Sequence, residues 1–93
     1  MKLLYFAWVR SRIGTAEEEV APPPEVARVA DLIAWLRGRG DGYDAAFADL
    51  TAIRVAVNQE FAGPETPVGS DDEVAFFPPI TGGRGAAAGG EAP

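Results

Sequence analysis

Asp72-Glu73-Val74-Ala75-Phe76-Phe77-Pro78-Pro79-Ile80-Thr81-Gly82-Gly83 changes character twice along its length. Glu73 to Phe77 is apolar and aromatic and reads as a β-strand. Pro78 and Pro79 then end any further pairing, because each lacks an N–H and fixes φ. Gly82 and Gly83 carry no side chain, so their backbone fits a channel too narrow for any other residue. Two readings stand on these residues alone. One is a strand that trails into a plain tail. The other is a strand that anchors an arm, residues 78–83, whose main-chain end is used inside another protein. Either way, a strand this late in the chain must pair with earlier ones, so it decides the topology.

Working outward, Ile53 to Val57 alternates, with Ile53, Val55 and Val57 inward and Arg54 and Ala56 outward. Asn58-Gln59 makes a bend, and Glu60-Phe61 pairs briefly. Gly63 and Pro64 break the chain. Gly69 to Asp72 turns into the last strand, with Asp71, Asp72 and Glu73 expected as a solvated corner. Upstream, Val29, Leu32, Ile33 and Leu36 fall at i, i+3, i+4 and i+7, which predicts a helix over 29–39. Asp31 in its first turn and Arg37 and Arg39 in its last suit the helix dipole, and Gly38 and Gly40 end it. Arg28 stands where a Ser or Thr cap is common, an expected cost of ~1 kcal/mol. Tyr43, Ala46, Phe47 and Leu50 repeat the helical spacing and predict a short second helix within 41–50.

Pro22-Pro23-Pro24 is a stiff connection without backbone donors. Before it, Glu17 to Val20 reads as a strand whose three glutamates are solvated. Arg10 to Thr15 reads as a turn around Gly14, which makes this strand hairpin with Lys2 to Val9. In that first strand Leu3, Tyr5, Ala7 and Val9 share one side and Leu4, Phe6 and Trp8 the other. Both faces are apolar, as in a central strand or one whose second face meets a partner.

The resulting order, β-β-α-(α)-β-(β)-β, is an α+β β-grasp, the ubiquitin-like roll. It implies a mixed sheet of four to five strands packed on one main helix plus a short second helix. The first and last strands lie parallel, as a helix crossover allows. Residues 1–83 form the single domain with its arm at 78–83. Residues 84–93, rich in Gly and Ala without an apolar pattern, are expected to be disordered.

Composition removes several classes of function. The chain has 93 residues, 47% of them apolar and 24% charged, as in an ordinary single domain. It has no cysteine and no histidine. Thiol nucleophiles, zinc–thiolate sites and the usual neutral-pH general base are therefore missing, which argues against a self-contained enzyme. The net charge of −6 opposes nucleic-acid binding. Gly38, Gly40 and Gly42 follow a helix instead of opening one, so they offer no phosphate site. No apolar run approaches a membrane span and no signal peptide is evident, so the expected location is cytoplasmic.

Tyr5-Phe6-Ala7 with Val9-Arg10 and Gly14, the helix Val29 to Leu36, Val55-Ala56-Val57-Asn58-Gln59, and above all Asp72 to Gly83 carry a family resemblance. The chain resembles the small, sulfur-carrier subunit of molybdopterin synthase. The related thiamine sulfur carrier shares the fold and the double glycine but is typically shorter and lacks Phe-Phe-Pro-Pro. The resemblance implies no bound cofactor. It implies an ATP-dependent adenylating enzyme that activates Gly83, with Gly82 beside it, for conversion to a thiocarboxylate. It implies a large catalytic subunit that takes the arm and passes the sulfur to cyclic pyranopterin monophosphate. The hydrophobic contact with that subunit maps onto Phe6, Phe61 and Phe77, and the arm adds Pro78, Pro79, Ile80 and Thr81. The role of Arg10, which also matches, stays open between a partner contact and a brace for the hairpin.

The family chain normally stops at the double glycine, whereas this one continues through Arg84 to Pro93. A protease that removes the tail is therefore an expected partner. The alternatives are a ubiquitin-like protein modifier and a thiamine-type sulfur carrier.

Overall fold

The computed structural model describes residues 1–79. In chain order its elements are β1 (Lys2–Tyr5), α1 (Ala7–Ile13), β2 (Glu17–Glu19), α2 (Val29–Arg37) and α3 (Asp41–Ala46). A 3₁₀ turn (Leu50–Ala52), β3 (Arg54–Val57), β4 (Glu60–Ala62) and β5 (Glu73–Phe77) follow. The strands form one sheet in the order β2-β1-β5-β3-β4. β5 lies at its centre, parallel to β1 with Leu3 opposite Val74 and antiparallel to β3 with Val55 opposite Phe76. The expected β-grasp is present, with five strands, and among the described residues it holds three α-helices where one main helix and a short second were expected.

The extra helix is α1, and it corrects the reading of the N-terminal run. The strand stops at Tyr5, Ala7 turns the backbone at φ +55°, and residues 7–13 are helical in place of strand and turn. Val9 is fully buried, and Trp8 and Ile13 pack beside it. A short apolar run fits a strand or a buried helical turn equally well by periodicity, which is why the sequence misleads here. Gly14 is the left-handed cap of α1, at φ +99°, with its N–H donating to Arg10 O at 2.7 Å. α3 presses on the same helix: a Cβ on Gly42 would stand 2.5 Å from Arg12 O. β2 still pairs antiparallel with β1 as expected, but across α1 and not across a tight hairpin.

α2 buries Val29, Leu32, Ile33 and Leu36, the stripe read from the sequence. They share one core with Leu3, Tyr5, Phe47, Val55, Val57, Val74 and Phe76. Phe76 is its hub, stacked on Tyr5 with centroids at 6.0 Å and edge-on to Phe47 at 5.0 Å. Each such pair adds about 0.5–1.5 kcal/mol beyond its buried area. The expected cost of Arg28 at the N-cap is offset by other groups. Asp31 Oδ2 accepts from Arg28 N at 3.1 Å, and Thr66 O and Pro64 O accept from Val29 N and Ala30 N at 3.0 Å. The first-turn N–H groups that a Ser would cap thus find loop carbonyls.

Asn58 and Gln59 both take positive φ, +52° and +70°, which is the twist a two-residue hairpin needs between β3 and β4. Asn58 also ties that hairpin to the start of β5. Its Nδ2 donates to Asp72 Oδ1 at 2.9 Å, and its Oδ1 accepts from Glu73 N at 3.0 Å. Asp72 stays partly exposed at this corner, as expected, but its carboxylate is tied down on both oxygens. The bonds from Asn58 and from Gly69 N hold its carboxyl below the usual range.

The glutamate run is corrected at its middle residue. Glu18 Oε2 accepts from Tyr5 OH and from Tyr43 OH, each at 2.7 Å, and Oε1 accepts from Arg39 Nη1 at 3.2 Å. The cluster joins the edge strand β2 to the sheet and to the helical layer. Burial alone would raise the Glu18 carboxyl, but the two tyrosine bonds and the Arg39 charge outweigh it and hold it low. A depressed carboxyl contributes stability that is complete above its unfolded value, about pH 4.3, and is lost as pH falls through the lower folded value. Glu18→Gln is expected to cost about 1.5–3 kcal/mol at neutral pH, the scale of hydrogen bonds to a charged group. It is also expected to flatten the acid limb of the stability curve. Urea unfolding from pH 7 down to pH 3 checks both, and an unchanged acid limb would remove Glu18 from the account.

Candidate functional site

The pairing register sorts the sheet into two faces. Leu3, Tyr5, Val55, Val57, Val74 and Phe76 point into the core under the helices. Leu4 pairs with Ala75, Ala75 with Ala56, and Ala56 with Phe61, while Arg54 stands opposite Phe77. These residues make up the outer face, which is apolar at its centre. Phe61 on β4 is 81% exposed and Phe6 is 48% exposed. A phenylalanine so open on a short edge strand adds nothing to the buried core, and exposed apolar clusters of this kind mark binding surfaces.

The outer-face aromatics gather at one end of the sheet. Phe77 is the last residue of β5, and its ring lies 6.1 Å from that of Phe61. Phe6 follows the last residue of β1, and its N–H donates to Phe76 O at 3.1 Å. Phe6, Phe61 and Phe77 were chosen from the sequence, and all three lie toward this end. Pro78 and Pro79 leave the sheet here, both partly buried. Pro79 lines a groove of about 450 Å³ with Arg54, Val55, Phe61, Ala62 and Phe77. A second groove of about 270 Å³ shares Arg54, Val55 and Ala62 and runs on past Leu50 toward Val29 and Ile33 of α2. Ile80, Thr81, Gly82 and Gly83, with the tail 84–93, lie outside the described residues.

The sequence matches the ThiS family over residues 3–83. This chain belongs to the ThiS family. The family match ends at Gly83, so the last ten residues, 84–93, lie beyond it. The chain is 39% identical over 83 residues to the molybdopterin synthase sulfur carrier subunit of Escherichia coli, covering 89% of this chain and 99% of that one. A solved structure of a molybdopterin converting factor subunit 1 from Pyrococcus furiosus superposes with a TM-score of 0.69. It is 32% identical and covers 85% of this chain and 95% of its own. Small archaeal modifier protein 1 of Haloferax volcanii also superposes at 0.69, with 26% identity and coverage of 86% and 97%. The fold named from the sequence and the resemblance to molybdopterin synthase sulfur carriers both hold.

Two features of this ThiS-family chain were not legible beforehand. Leu50 was expected to complete the apolar stripe of the second helix. That helix ends at Ala46, and Leu50 begins the 3₁₀ turn at 50% exposure on the lip of the second groove. Arg54 was assigned only to an outward face. It stands where both grooves meet, its Nη1 donating to Thr51 O at 3.4 Å and Ile53 O at 3.2 Å. Outward-facing strand arginines are common, and only the register places this one beside Phe77. Among the described residues no cluster of His, Cys, Asp or Glu could hold a metal, and no helix is long and apolar enough to cross a membrane. The site offers an aromatic surface next to a departing main chain. What chemistry such a ThiS-family surface serves depends on the end of that chain.

Proposed function

We propose that this chain is the sulfur carrier of molybdenum cofactor synthesis and that its working atom is the terminal carbonyl carbon of Gly83. The observation that supports this most is the placement of β5. The central strand of the sheet runs straight into Pro78-Pro79 at the aromatic end, and the family match continues without interruption to Gly83. Pro78 and Pro79 give the strand a stiff exit at this end of the sheet, and glycine at 82 and 83 leaves the end of the arm without side chains.

In the proposed cycle the tail 84–93 is first removed by a protease, leaving a carboxylate on Gly83. A free carboxylate acylates poorly. An adenylating enzyme supplies the leaving group: the Gly83 carboxylate attacks the α-phosphorus of ATP, and pyrophosphate departs. A sulfur nucleophile then displaces AMP to give the thiocarboxylate. The arm, Pro78 to Gly83, enters the large catalytic subunit of molybdopterin synthase, and Phe6, Phe61 and Phe77 bind that subunit's surface. The sulfur passes there to cyclic pyranopterin monophosphate. This chain binds no cofactor itself, and ATP is consumed on the activating partner.

A second reading has one observation in its favour, the superposition with an archaeal protein modifier. In that reading Gly83 is joined to lysines of other proteins. Lys2 is the only lysine here, so chains built on copies of itself have one available linkage site. One experiment separates the readings. The chain ending at Gly83 is incubated with its cognate adenylating enzyme, ATP and a sulfur donor, and its intact mass is measured. A gain equal to one oxygen-for-sulfur exchange is the expected result. Attachment to other proteins would favour the modifier, and an unchanged mass would defeat both.

A further inference from the structure

We propose that the aromatic patch is flanked by two docking cations, Arg12 and Arg54, which meet carboxylates on the partner that receives the arm. This rests on the reading above and adds the charge pattern of the partner's surface.

The chain is acidic overall, with a net charge of −6. Its described arginines divide into two groups. Arg28, Arg37 and Arg39 each pair with a carboxylate, to Glu65 at 2.6 Å, Asp44 at 2.8 Å and Glu18 at 3.2 Å. Arg10, Arg12 and Arg54 make no ion pair among the described residues, although thirteen of the fourteen acidic residues fall within them. These three lie toward the end of the sheet from which the arm departs. Arg10 and Arg12 are on α1, directly after Phe6, and Arg54 is opposite Phe77.

Arg12 and Arg54 are also held in place by the protein. The Arg12 guanidinium lies over the Trp8 ring, 5.1 Å from its centroid, a cation–π contact that restrains the side chain. Arg54 is held by the carbonyls of Thr51 and Ile53. The 3₁₀ turn stands between them. Ala52 of that turn lines a cleft with Trp8 and Arg12, while Thr51 of the same turn accepts from Arg54. A guanidinium restrained by an aromatic face or by carbonyls keeps N–H groups for a carboxylate and has less freedom to lose on binding. In an acidic protein, cations placed at one end and restrained in advance fit an acidic rim on the partner. Charges at a rim steer encounter and select partners more than they add affinity.

The occupant is thus a protein surface with an apolar centre for Phe61 and Phe77 and carboxylates on two sides. The test measures binding of the chain ending at Gly83 to the large subunit of molybdopterin synthase from the same organism, by calorimetry at about 50 mM and about 500 mM salt, where screening differs severalfold. The double variant R12E/R54E is expected to weaken binding about 10- to 100-fold at low salt and much less at high salt, as desolvated aromatic contacts are insensitive to screening. R12Q/R54Q, which leaves no new charge, is expected at an intermediate value with a shallower salt dependence than the parent. Melting temperatures of all forms are measured alongside. Phe61→Ala serves as the reference for the aromatic contact. If the arginine variants bind like the parent with the same salt dependence while Phe61→Ala is weakened, the docking cations are refuted and the carrier reading survives. If the parent chain itself does not bind the large subunit, both fall together.

Discussion

The chain ending at Gly83 is expected to support ATP–pyrophosphate exchange on its adenylating enzyme, and the 93-residue chain is expected to support none. The difference is one of chemistry and not of affinity. With Arg84 attached, the Gly83 carbonyl belongs to a peptide bond, whose resonance leaves no anionic oxygen to attack phosphorus. No arrangement of the fold changes that, because the handle, β1 to β5, is the same in both forms. The effect is therefore all or none at matched concentration. A chain ending at Gly82 serves as a control for reach: each residue spans at most about 3.3–3.6 Å, so its carboxylate falls short of the reactive position by that distance. Its exchange is expected to drop sharply while its melting temperature stays unchanged. Exchange by the full-length chain equal to that of the Gly83-ended form would mean that the reactive group is elsewhere.

Phe76 and Phe77 are neighbours on β5 and are expected to fail in opposite ways. Phe76 is fully buried against Tyr5 and Phe47. Phe76→Ala removes the hub of the core and is expected to cost about 3–5 kcal/mol. That is a large part of the 5–15 kcal/mol that holds a domain together. At about 4–8 °C per kcal/mol for a chain of this size, the midpoint falls by at least ~12 °C. Phe77 points to the outer face beside Phe61. Phe77→Ala is expected to change stability by about 1 kcal/mol or less, as substitutions outside a core do. Its effect appears in binding to the large subunit, where loss of an aromatic anchor typically costs about 2 kcal/mol or more, roughly thirtyfold. Thermal melts and binding isotherms on the two variants check the pair. Two equally destabilised proteins would place both rings in the core and remove the docking face.

Much of this was legible because two periodicities were clean. The stripe Val29, Leu32, Ile33 and Leu36 has one reading, and α2 carries it. The alternation from Ile53 to Val57 and the run from Glu73 to Phe77 fixed β3 and β5 within a residue. The N-terminal run was not legible, since Phe6 to Val9 is apolar in every register. What decides it is a three-dimensional fact, the space that Val9 and Ile13 fill under α1. Glu18 was hidden for a related reason. A carboxylate in a run of three reads as solvated until Tyr5 and Tyr43, from two other elements, arrive within 2.7 Å. At the candidate site Phe6, Phe61 and Phe77 were named from the family resemblance, and the structure places them toward one end of the sheet. Leu50 and Arg54 were not, because nothing local distinguishes an exposed leucine in a turn or an outward arginine until the sheet assembles.

The most direct test is the intact mass of this protein isolated from its own cells during cofactor synthesis. The account predicts a chain that ends at Gly83, with a fraction heavier by the exchange of one oxygen for one sulfur. A population that retains Arg84 through Pro93, in cells that make the cofactor normally, would contradict it.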